Sequence, residues 1–152
     1  MKKFLKKKLN QKGLTLVELL AVIVILGIIS AIAVPSIGNI ITNSKVNALK
    51  ADGQNVLSAA QMYFAETGGT ANVDGDKVVT QQQLIEGGFL EDAGGLTGAT
   101  VKKADTGNTI SGTATTKGVT VVFKDATSRD ITDADVKATD TTATGVKVKV
   151  TR

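Results

Sequence analysis

The 152-residue chain predicts an α+β fold: one long N-terminal helix, bent at Pro35, whose C-terminal half packs against a small antiparallel sheet of three or four strands. Three observations carry that expectation. An apolar run from Leu14 to Val34 opens the helix. An apolar stripe at three- and four-residue steps continues it to about Glu66, and the remainder turns rich in Thr and Val, punctuated by turn residues.

At about 1.5 Å rise per residue, the 21 residues Leu14–Val34 make a helix roughly 30 Å long, enough to span a hydrocarbon core. Lys2, Lys3, Lys6, Lys7, Lys8 and Lys12 precede it, with no acidic residue among them. Positive charge resists translocation, so the N-terminus is expected to stay in the cytoplasm and the rest to be exported. An ordinary secretory signal has a shorter apolar core, with small residues after it. Here the small residue, Gly13, stands before the run. Cleavage at Gly13 would remove the lysines and keep the helix. Glu18 would then be the fifth residue of a chain beginning at Leu14. A carboxylate at that depth costs about 2–3 kcal/mol and calls for a partner. The α-amino group that cleavage would create at Leu14 is one, within a subunit or between packed neighbours, where it would fix an axial register.

Gly13-Leu14-Thr15-Leu16-Val17-Glu18, followed by an apolar helix, resembles the N-terminal signal of type IV prepilins and pseudopilins. The resemblance covers the first third of the chain. It implies cleavage after Gly13 and N-methylation of Leu14 by a prepilin peptidase, filament assembly through Glu18, and the type IV pilin fold. Gly27 and Pro35 match positions where the helix loosens inside filaments. Leu14 departs from the family's most frequent first residue, Phe.

The expected segments are a cytoplasmic leader, 1–13; a membrane or filament-core half of the helix, 14–35; an amphipathic half, 36–66; and a soluble head, 67–152. In the amphipathic half, Ile37, Ile40, Ile41, Leu49, Val56, Leu57, Ala60, Tyr63 and Phe64 form the stripe. Lys45, Lys50, Asp52 and Gln54 fall between these positions, as a solvated face would. Pro35 cannot donate to the Ala31 carbonyl and crowds that turn, so a kink is expected. Gly27 and Gly38 weaken the same stretch by about 1 kcal/mol each relative to Ala. Thr67-Gly68-Gly69 supplies the helix stop.

Beyond it, Thr70–Lys77 reads as a polar loop. Thr80 caps a short helix to Glu86, stopped by Gly87-Gly88, after which Phe89 and Leu90 return to the long helix. Strands are expected at Ala99–Lys103, Asn108–Thr115, Gly118–Lys124 and Val146–Thr151, with Thr116-Lys117-Gly118 closing a hairpin and a helical turn at Asp133–Ala138.

Formal net charge is +4, yet the leader holds six of the 18 basic residues and no acid; without it, 12 basic residues face 14 acidic, a net of −2. The basic balance thus speaks for membrane topology, and no direct nucleic-acid binding is expected. No Cys or His occurs, which excludes thiol chemistry, disulfides, histidine bases and Cys/His metal sites. Since many Gram-negative pilins close their C-terminal region with a disulfide, its absence favours a Gram-positive source. Asp125, Asp130, Asp133, Asp135 and Asp140 crowd one region in no EF-hand spacing, so polar loops are the reading preferred over calcium. The threonines at 113–116 and 139–144 suit strands better than O-glycans. No phosphate loop or nucleophile–base pair can be made out, so neither catalysis nor a cofactor is expected.

The expected function is a type IV pilus subunit, held as a single-pass protein of the cytoplasmic membrane and then assembled into a surface filament for adhesion or motility. Its partners would be copies of itself, the prepilin peptidase, the assembly platform with its ATPase, and membrane lipids before assembly. The alternatives are a pseudopilin of a competence or type II secretion apparatus, and an uncleaved single-pass protein with an external binding domain.

Overall fold

The computed structural model describes residues 15–71, 77–135 and 147–151. The chain divides into two units between Ile40 and Ile41. The first consists, over its described residues, of helix and little else. The second carries the sheet and the core.

Helix α1 runs Leu16–Thr67 without a break in its helical assignment, Pro35 included. It stops where the glycines permit the left-handed backbone that a Cβ disfavours: Gly68 and Gly69 have φ of 75° and 84°, and the Gly68 N–H donates to the Phe64 carbonyl at 3.1 Å.

Six antiparallel strands follow in simple meander order: β1 (Thr70–Ala71), β2 (Lys77–Thr80), β3 (Leu96–Lys102), β4 (Thr109–Thr116), β5 (Val119–Ala126) and β6 (Val148–Thr151). The four longest-expected segments are all strands, within a few residues of the expected bounds. The sheet exceeds three or four strands because β1 and β2 pair where a polar loop is expected, Thr70 opposite Val78 and Ala71 opposite Lys77. Two- and four-residue strands show too little alternation for periodicity to betray them. The β4–β5 turn is the expected one: Thr116 faces Val119 across Lys117-Gly118, and Gly118 takes φ 80°.

Two short helices punctuate the sheet, each opened by a reciprocal capping box. In α2 (Gln81–Glu86) the pair is Thr80 with Gln83, and in α3 (Ser128–Asp133) it is Thr127 with Asp130. α2 lies where expected. The turn expected at Asp133–Ala138 does not: Asp133 is instead the last residue of α3, Ala134 caps it in an extended conformation, and residues 136–138 lie outside the described residues.

The core lies between α1 and one face of the sheet. Val46, Leu49, Val56, Leu57, Ala60 and Phe64 come from α1; Val79, Val101, Ile110, Val121, Phe123 and Val150 come from the strands; Leu84 and Ile131 plug it from the short helices. Among the described residues no polar side chain is buried. Phe89 and Leu90 pack against this core, with the Phe89 ring 5.4 Å from Tyr63, edge to face. Ile37, Ile40 and Ile41 differ from the rest of the expected stripe, being exposed.

The seat of the sheet on the helix is Gly53. A methyl group there would lie 2.8 Å from Cζ of Phe123. Gly53→Ala is therefore expected to destabilise the head by about 1–3 kcal/mol through overpacking, despite alanine's better helix propensity. A lower urea midpoint with unchanged slope would verify it; an increase would show that the ring yields freely.

Candidate functional site

The N-terminus of α1 is built around Thr15 and Glu18. The Thr15 N–H donates to Glu18 Oε2 at 2.7 Å, the Thr15 hydroxyl donates to the same oxygen at 3.0 Å, and the Glu18 N–H donates to Thr15 Oγ1 at 3.2 Å. This is the Thr-x-x-Glu box, in which side chains replace the partners that the first helical turn lacks. The carboxylate also sits at the positive end of the helix dipole. The four-residue pattern is legible in the sequence, and it gives Glu18 a partner in Thr15 beside the expected amino group. Gly13 and Leu14, the expected cleavage and methylation positions, lie outside the described residues.

Downstream of Glu18 the helix is apolar on every side. Leu19, Leu20, Ile23, Val24, Leu26, Ile29 and Ile32 each keep about half or more of their surface exposed. The helix is long and apolar enough to cross a membrane, and among the described residues none of its most apolar stretch is buried. Gly27 lies in this stretch with nothing within 4 Å of the position a Cβ would take, so no packing inside the chain demands a glycine there. Glu18, Gly27 and Pro35 are not gathered into one site. At 1.5 Å per residue, Gly27 lies about 14 Å and Pro35 about 26 Å along the helix from Glu18.

In the second unit, polar residues of α1 do more than face water. Lys45 Nζ donates to the Lys117 carbonyl at 2.9 Å, holding the β4–β5 turn. Lys50 Nζ donates to the carbonyls of Ala134 at 2.7 Å and Thr132 at 3.3 Å, closing the end of α3. Gln54 Nε2 reaches Thr132 Oγ1 at 2.9 Å, and Asp52 Oδ2 accepts the Gly95 N–H at 2.9 Å. Burial draws the Lys50 pKa below its ordinary value, while Asp133 and Asp135 act the other way.

The aspartates of this region serve separate purposes. Asp125 exchanges hydrogen bonds with Ser111 at a β-bulge, Asp130 caps α3 and pairs with Lys147 at 3.1 Å, and Asp133 lies 3.6 Å from Arg129. Among the described residues no three acidic groups converge as a metal site would require; Asp140 is outside them.

Asp130 has its pKa lowered to about 2, first by the Thr127 N–H, then by the Thr127 hydroxyl and the Lys147 ammonium. Its folded value lies below the ordinary 3.8, so its stabilisation is complete above about pH 4 and fades as pH falls through 2. An NMR titration is expected to place its midpoint near 2, and Asp130→Asn should remove the acid-dependent loosening of α3. A midpoint near 4 would mean that the cap does not hold in solution.

Residues 8–34 match the family described as the prokaryotic N-terminal methylation motif. Over 54 residues the chain is 39% identical to the type II secretion system core protein G of Pseudomonas aeruginosa, a span that covers 36% of this chain and 38% of that relative. No solved structure matches. A methylation motif leads into an exposed apolar helix, and that helix continues into the core of a small antiparallel sheet; in these features the chain is similar to type IV pilins and pseudopilins.

Proposed function

We propose that this protein is the structural subunit of a type IV pilus. The observation that supports it most is a carboxylate, Glu18, at the head of an apolar half-helix that no other described residue covers. Such a surface is stable in lipid or against copies of itself. A prepilin peptidase cleaves after Gly13 and methylates Leu14, and an assembly platform driven by an ATPase moves the subunit from the cytoplasmic membrane into a surface filament. Head-group contacts remain with water, and the polymer serves adhesion or motility. The chain acts as building material and not as an enzyme.

Within this reading, Gly27 and Pro35 lower the cost of unwinding the segment between them, so that the filament extends under load. Pro35→Ala is expected to give stiffer or poorly assembled filaments, measured as extension under force; unchanged extension would remove the proline from this role.

One observation favours a second reading. The relative that is 39% identical over 54 residues is a secretion-system protein, so a pseudopilin of a secretion or competence apparatus is the alternative. The deciding experiment is the N-terminal mass of the mature chain, followed by electron microscopy of material sheared from cells. A methylated Leu14 start with long fibres supports the pilus. The same start without external fibres supports the pseudopilin, and a chain retaining Met1–Gly13 overturns both.

A further inference from the structure

The sheet face turned away from α1 carries lysines where strand pairing disfavours them. The β5–β6 register sets Val122 opposite Lys149 and Phe123 opposite Val148, and the Lys124 N–H donates to the Lys147 carbonyl at 2.8 Å. Lys124 thus faces Lys147 directly, with Lys149 on the diagonal, about 7–8 Å away between backbones. Like charges directly opposite each other destabilise a strand pair. One carboxylate, Asp130, relieves Lys147. Guarding an edge strand accounts for lysines on β6, but not for Lys124, whose strand is flanked by β4 and β6.

Beside the lysines runs a row of hydroxyls: Thr115 pairs with Thr120, and Thr120 with Thr151, at a strand spacing of about 4.8 Å. The carboxylate of Asp125, which follows Lys124 in the chain, is engaged by Ser111. Phe123 points inward, so the face offers no ring on which a base or a sugar could stack.

We propose that this face docks an acidic polysaccharide, its carboxylates held by Lys124, Lys147 and Lys149 and its sugar hydroxyls by Thr115, Thr120 and Thr151. Ammonium groups supply the attraction and the threonine row supplies directional hydrogen bonds. A polyanion relieves the repulsion between the facing lysines, which gives the crowding a purpose. With no arginine fork among the described residues of this part of the sheet to grip phosphates in pairs, single ammonium groups beside hydroxyls suit the carboxylates and hydroxyls of a glycan better than a phosphate chain. The inference goes beyond the filament reading and does not depend on it, because the face belongs to each subunit.

The test uses the full chain in detergent micelles, with polygalacturonate as the immobilised probe and neutral dextran and duplex DNA as comparisons. Binding to polygalacturonate is expected, weakening with salt and absent on dextran. Lys124→Gln and Lys149→Gln should each weaken it about fivefold, while the Lys→Arg variants retain it. Unchanged thermal melts would confirm that these substitutions at exposed Lys124 and half-buried Lys149 leave the fold intact. No binding, or equal binding by the doubly substituted Gln variant, would overturn the proposal. So would tighter, equally lysine-dependent binding of duplex DNA, which would reassign the face to phosphate chains.

Discussion

Replacing Glu18 with alanine is expected to abolish filament recovery while leaving the protein in the membrane fraction. Two effects combine. The substitution removes the reciprocal hydrogen bonds between Thr15 and Glu18, worth about 0.5–2 kcal/mol to the first turn of the helix. In the proposed polymer it also strands the amino group of Leu14 in an apolar interior, at a cost of about 2–3 kcal/mol. Lipid insertion, by contrast, becomes easier when a carboxylate is taken out of an apolar run. Glu18→Gln separates the two effects, since an amide oxygen still accepts from Thr15 but carries no charge. Full assembly of the glutamine variant would locate the role of Glu18 in the cap, and normal assembly of the alanine variant would end its role altogether. Both are read by immunoblotting sheared and membrane fractions side by side.

Phe123→Ala is expected to have the largest effect on the head. The ring is 2% exposed, sits on Gly53, and is the bulkiest of the fully buried side chains. Its removal should cost about 3–5 kcal/mol, which approaches the whole stability of a small domain. Loss of the urea transition and rapid proteolysis of the head would be the signature. A change below about 1 kcal/mol would mean that the helix settles into the space left by the ring. Gly53→Ala and Phe123→Ala probe one contact from opposite sides, so their combination should be less than additive.

What was legible in the residues had short-range causes. Helix α1 ends at Thr67, one residue past the expected Glu66, because the glycines that stop it are adjacent. Helix α2 and the Lys117-Gly118 turn follow from residues within four positions of each other. The missed elements divide into two kinds. The boxes at Thr15–Glu18 and Thr127–Asp130 are local four-residue patterns, legible in the sequence. Strands β1 and β2 were not written there: two and four residues become strands when a neighbour offers them a ladder.

By itself the sequence determined a lysine-rich N-terminus, an apolar helix with one carboxylate at its start, and a Thr/Val domain with its main turns, because composition and short periodicities dictate these. Tertiary structure alone decided that Lys45, Lys50, Asp52 and Gln54 clasp loops, that Phe123 meets Gly53, and that Lys124 faces Lys147. The partners in these contacts lie 23–84 residues apart or depend on strand register, and no local preference reports such a pairing until the chain has closed the loop between them.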